Sequence, residues 1–147
     1  MARPREFNPD DVLQMAVTLF WEKGYSDSSV DELVRRSGVA KYGIYGTFGA
    51  KRELFDKVLE RYAQDRRRDI QASLRNPDAG LAEIRKFFKQ AVRMMTAEEA
   101  PRGCLIVNSA LEMGRNDKGM RQFSDAFFAD LEDVMKRCLE RALSAGD

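Results

Sequence analysis

Histidine is absent from the 147-residue chain. That one absence excludes Ser-His-Asp and Cys-His catalysis, histidine-bound metals and the side chain that most readily titrates near neutral pH. Cysteine is scarce as well. Cys104 and Cys138 are too few for a disulfide framework or a structural zinc site, and they imply a reduced, cytoplasmic setting. No run approaches the roughly 18 uncharged apolar residues of a membrane span, so no membrane partner is expected. The opening "MARPREFNPDD" has no apolar core and does not read as a signal peptide. Bulk charge is lacking too: at +1 it draws the chain neither to nucleic acid nor away from it. Without histidine, an enzyme would need a carboxylate pair in a closed pocket, and nothing singles one out. No catalytic residue, metal or cofactor is therefore expected.

Only four prolines interrupt the chain, and its apolar residues recur at helical spacing, so an all-α protein is expected. The first helix starts at Asn8 as N-cap, with Pro9 at the favoured first position and Asp10 and Asp11 behind it. Leu13, Ala16, Val17 and Phe20 form its inner face, and Gly24 stops it. In the second helix Ser29 and Glu32 match a capping box, Val30, Leu33 and Val34 point inward, and Gly38 ends it. A third helix is expected over about Ala40–Phe48, with Ile44 and Phe48 inside. A fourth runs from Lys51 into "DRRRDIQASL", where Asp65 and Asp69 are expected to pair with Arg66, Arg67 and Arg68. "RNPDAG" (Arg75 to Gly80) reads as a linker. After it come "LAEIRKFFKQAVRMM", "CLIVNSALEM" and a last helix over about Lys118–Leu143.

Charge is distributed unevenly. From Leu33 through Arg52 stand Arg35, Arg36, Lys41, Lys51 and Arg52 and no acid, and Arg3 and Arg5 add a basic arm. From Glu53 onward 17 basic residues balance 17 acidic ones. Local positive charge of this kind is the footprint of a phosphate partner. It falls on "GVAKYGIYGTFGAKRELF", two short helices around a tight glycine turn, the second basic: the helix-turn-helix pattern. Gly43 and Gly46 share a face at i, i+3, and a bare face admits close approach to DNA. Lys41, Tyr42 and Thr47 supply reach. Lys51 and Arg52 oppose the dipole of the fourth helix unless a phosphate sits at its start, where amides and cations would act together.

"SSVDELVRRSGVAKYGIYGTFGAKRELF" resembles the DNA-binding head of the tetracycline-repressor family of bacterial regulators. The shared marks are Ser28-Ser29, the Gly38-Val39 turn, Tyr45 to Phe48, and Lys51 to Leu54, and the likeness runs from about Asn8 to Leu59. "RPREF" (Arg3 to Phe7) and "RGCLIVNSALEM" (Arg102 to Met113) resemble one branch of that family.

The resemblance implies a helix-turn-helix head over 1–50 and a helical effector-binding and dimerisation domain over 51–147. It places Lys41, Tyr42 and Gly43 at base edges, Tyr45, Thr47 and Lys51 at phosphates, and Ser29 at the DNA backbone. It implies a ligand-responsive repressor that binds a double-stranded, pseudo-palindromic operator as a homodimer and answers to a small-molecule effector. Family members keep an effector cavity in the body. Its expected lining is Phe88, Met95 and Phe127, with Asn108 and Glu112 as polar anchors, Met and Phe suiting an adaptable apolar site. Cys104, next to Gly103 and Arg102, is a candidate redox or electrophile sensor, weighed against a packed small residue. Members usually continue through two further helices that form the dimer interface. The resemblance therefore implies a body truncated at Asp147, a naturally short form or a protein that pairs differently, and with it an alternative reading as a helical interaction module that modulates full-length relatives without binding DNA.

Overall fold

The computed structural model describes residues 7–96 and 102–146. These residues form seven α-helices and no strand: α1 (Pro9–Lys23), α2 (Val30–Ser37), α3 (Lys41–Phe48), α4 (Lys51–Asp69), α5 (Leu81–Met95), α6 (Leu105–Met113) and α7 (Lys118–Ala145), with a 3-10 turn at Ala72–Arg75. The chain divides into two compact units, Met1–Tyr62 and Ala63–Asp147, and α4 runs through the boundary. Arg3 and Arg5 lie outside the described residues.

In the first unit the helix ends form as the local sequence dictates. The Asn8 side chain accepts from the Asp10 amide at 2.9 Å, and Gly24 closes α1 at φ +79°. Ser29 caps α2 by accepting from the Glu32 amide at 3.1 Å, and Gly38 ends it in the left-handed region. Only the serine half of the expected capping box forms, because Glu32 reaches Lys23 and Arg36 instead. The inner face of α1 is broader than the expected one: Val12 and Leu19 are buried with Ala16, Val17 and Phe20, whereas Leu13, like Val34 of α2, is only partly covered. Phe20, Tyr25 and Phe55 cluster at 4.9–6.2 Å between centroids, and Trp21 meets Tyr62 edge-on.

The second unit closes around α7. Leu74, Ala79, Val134 and Cys138 are buried together, flanked by Ile84, Phe87, Leu131 and Met135. The Cys138 thiol donates to the Leu74 carbonyl at 3.3 Å, and Arg141 donates to the Ala79 carbonyl at 2.7 Å. The expected linker is thus pinned to α7 rather than loose. Gly80 has no side chain with which to cap α5, so Glu83 folds back to accept the Gly80 amide at 2.8 Å. Arg121 donates to the Gly114 and Arg115 carbonyls and closes the end of α6.

Asp130 of α7 accepts from both Arg75 and Arg67, so Arg67 leaves the local pairing expected of it; Arg68 keeps that pairing, with Asp65 and Asp69. Burial pushes the Asp130 carboxyl up, but the hydrogen bond and charge of Arg75, then of Arg67, outweigh it and leave the pKa below its ordinary value.

Ile44 is fully buried and Phe48 nearly so. Ile44→Ala is expected to cost about 2–5 kcal/mol in urea unfolding, as other large-to-small core changes do. Tyr42→Ala, on the same helix but 70% exposed, should stay within about 0.5 kcal/mol. The Asp130 carboxylate, with its depressed pKa, contributes stability that is complete above its unfolded pKa of about 4 and is lost as pH falls through the lower folded value. Asp130→Asn should therefore lower the urea midpoint near pH 7 by the equivalent of about 0.5–1 kcal/mol, an amount already reduced for solvent screening. The gap between the two proteins should close below about pH 4. A gap that is unchanged in acid would show that the charge of Asp130 is not what stabilises this unit.

Candidate nucleic-acid interface

α3 has an unpromising sequence for a helix. Two of its eight residues are glycine, and Ala40 at its N-cap provides no side-chain hydrogen bond. Its stability comes from outside. Ile44 and Phe48 bury its inner side. At its end, Lys57 of α4 donates to the Phe48 carbonyl at 3.1 Å, and Gly49 turns the chain at φ +83°. The Glu53 carboxylate then accepts the Ala50 amide at 2.6 Å and so starts α4.

The outer side of α3 carries the expected reading residues. Lys41, Tyr42, Tyr45 and Thr47 are all exposed, Tyr42 by 70% and Tyr45 by 42%. Ser29 is exposed as well, at the start of α2. The two glycines separate in role. A Cβ on Gly46 would meet nothing within 4 Å, whereas one on Gly43 would lie 3.3 Å from the Phe7 ring and 3.4 Å from Val39. The bare face is therefore Gly46 alone, and Gly43 is a packing contact for the segment that leads into α1.

The cations are less available than their clustering in sequence implies. Lys41 pairs with Asp31 of α2 at 2.8 Å. This hydrogen bond and the opposite charge hold the Asp31 carboxyl below its ordinary pKa and raise that of Lys41. Arg36 lies between Glu22 and Glu32, which raise its pKa, and braces α1 against α2. Arg52 pairs with Asp56 at 2.9 Å. Lys51 stands 4.4 Å over the Tyr25 ring, a cation–π contact. Three features escaped the sequence reading. Glu53 was legible in principle as an acid at the third position of a helix. Lys57 and Asp31 carry no sequence signal, because their partners lie nine and ten residues away on other helices.

The effector candidates differ in exposure. Phe88 (54%), Met95 (45%), Asn108 and Glu112 are exposed. The Asn108 amide donates to the Arg102 carbonyl at 2.8 Å and so closes the loop ahead of α6. Phe127 is buried, with the Arg67 guanidinium 5.9 Å from its ring. Cys104 is a free, half-buried thiol at the start of α6. Among the described residues no group of three Cys, Asp or Glu side chains could hold a metal ion, and no helix is long and apolar enough to cross a membrane.

Comparison with known proteins places this geometry. Residues 12–58 match the family described as bacterial regulatory proteins, tetR family, and residues 80–147 match a tetracyclin repressor-like C-terminal domain. The uncharacterized HTH-type transcriptional regulator YezE of Bacillus subtilis is 30% identical over the whole chain, which covers 76% of that protein. The HTH-type transcriptional repressor ComR of Escherichia coli is 31% identical over 73% of the chain, and the match spans 51% of ComR. Among solved structures, a TetR regulator from Chloroflexus aurantiacus superposes with a TM-score of 0.81 at 20% identity, over 94% of this chain and 70% of that one. The TetR family regulator CifR, as a cysteine mutant with 26-bp operator DNA, superposes at 0.71 and 29% identity, over 95% and 71%.

The unequal surroundings of the two glycines can be measured. Gly46→Ala should stabilise the protein by about 0.8–1 kcal/mol, the ordinary helix gain. Gly43→Ala should gain clearly less, since Phe7 and Val39 must shift. Equal gains would show that Phe7 does not pack over Gly43.

Proposed function

The chain belongs to the tetracycline-repressor family of helix-turn-helix transcriptional regulators, and from that premise we propose that it is a ligand-responsive repressor that reads its operator with α3 and its flanks. The observation that carries this reading is the outward face of α3. Lys41, Tyr42, Tyr45 and Thr47 stand exposed around a glycine with open space above it, on a helix whose inner side is fully committed to the core. A B-DNA major groove about 12 Å wide admits such a helix closely.

In this reading residues 1–50 form the DNA-binding head and 51–147 the regulatory body. Lys41 and Tyr42 reach base edges, and the open backbone at Gly46 lets the helix come close to them. Tyr45, Thr47, Ser29 and Lys51 meet phosphates. Lys51 turns from the face of Tyr25 to a phosphate at the start of α4. Two heads of a homodimer occupy a pseudo-palindrome with their reading helices about 34–36 Å apart. A small apolar effector taken up by the body favours one arrangement of the pair and thereby releases DNA. The operator complex of CifR supports the DNA half of this proposal, and the soft apolar surface of α5 around Phe88 and Met95 supports the effector half.

The test is binding to duplexes from upstream of the gene that encodes the chain. Lys51→Ala should weaken every duplex alike and reduce the salt slope by about 0.9, the value for one phosphate contact. Tyr42→Ala should instead change which operator variants are preferred. Unchanged affinity and slope in Lys51→Ala would refute the docking of α4 on the phosphate backbone.

A further inference from the structure

We propose that Asp31 is a specificity-determining, positioning residue: it holds the Lys41 ammonium on the α2 side of the reading helix and withholds it from the phosphates that any duplex offers. This inference rests on the DNA-binding reading above and names the control on one of its contacts.

Lys41 is the first residue of α3, and α3 has no acid in its first turn. A cation there opposes the helix dipole. Asp31, in the first turn of α2, supplies the missing negative charge from a neighbouring helix, with Oδ1 2.8 Å from Nζ. Arg35 acts on Asp31 as well, so the carboxylate of the pair answers to cations on both α2 and α3.

As a brace the pair is poor. Both side chains are more than half exposed, at 52% and 60%, and exposed ion pairs contribute little to stability. Its effect on DNA is larger. Two residues before Asp31 stands Ser29, the expected backbone contact, so the ammonium that Asp31 holds is kept from a phosphate that would otherwise lie within its reach. A residue that lowers affinity while adding little to stability serves discrimination. Lysine is a flexible point charge that takes whichever phosphate is nearest. With Asp31 as its resting partner, Lys41 changes partner only where the sequence presents a better acceptor, such as the O6 and N7 edge of a guanine.

The experiment uses the full chain and two probes. One duplex is selected by the wild type from a random pool; the other is a scrambled duplex of equal length and composition. Asp31→Asn should bind the scrambled duplex about three- to eightfold more tightly near 0.1 M salt, with a slope steeper by about 0.9, as one added phosphate contact requires. The selected duplex should gain less, so the ratio between the probes falls. In a Lys41→Ala background the effect of Asp31→Asn should vanish. Asp31→Ser, which keeps a polar residue in the first turn of α2, should behave as Asp31→Asn does. The inference is overturned if Asp31→Asn keeps wild-type affinities and slopes while Lys41→Ala weakens the selected duplex. It is also overturned if the gain persists without Lys41, because Asp31 would then act only as a repelling charge. A wild type that enriches no sequence at all would sink the DNA-binding reading and this inference with it.

Discussion

Burial of Ile44 and Phe48 supplies what the backbone of α3 lacks. A short isolated helix is marginal in water even with good formers, and this one carries two glycines and no capping side chain. Once those two side chains are in the core, the orientation of the helix is fixed, and so is the direction in which Lys41, Tyr42, Tyr45 and Thr47 project. The neighbouring helices complete the arrangement. Lys57 closes the end of α3, Glu53 starts α4 across the Gly49 turn, and Asp31 balances the charge at the beginning. The end of α3 and the charge at its start are met by side chains from α4 and α2. The helix can therefore keep its outer surface free for another purpose.

A second regularity is that carboxylates meet the cations of the head. Glu22 and Glu32 take Arg36, Asp31 takes Lys41 and Asp56 takes Arg52. The pairs differ in consequence. Arg36 links α1 to α2 and belongs to the scaffold. Arg52 and Asp56 are successive turns of one helix, worth a few tenths of a kcal/mol at most, in the manner of ~0.3–0.5 kcal/mol surface pairs. Lys41 and Asp31 join the supporting helix to the reading helix at the surface where a ligand would lie.

How much of this was legible in the sequence depended on the range of each interaction. Asn8, Ser29, Gly24 and Gly38 act within four residues of themselves, and the boundaries they predict are the ones observed. The core pair Ile44 and Phe48 was legible because helical periodicity is local too. The charge pattern was only half legible. A run of cations without an acid is visible in the string, but the acids that meet it come from 14 residues upstream in the case of Glu22 and Arg36. Gly43 and Gly46 look equivalent at i, i+3, yet Phe7, far away in sequence, covers one and leaves the other open. The expected effector lining rested on the family resemblance, with residue type and helical spacing to choose its members. The engagement of the Asn108 amide by the loop before its own helix carries no sequence signal.

The pinned segment between Gln71 and Gly80 has a mechanical meaning. Its two buried apolar side chains, Leu74 and Ala79, pack against α7, and their carbonyls receive the Cys138 thiol and the Arg141 guanidinium. Glu83 ties the far end of the segment to the first turn of α5. A stretch that looks like a hinge is in this way a rivet. Displacement of α7 along its axis carries residues 74–80 with it, and α5 through them, so these pieces transmit a push rather than absorb it.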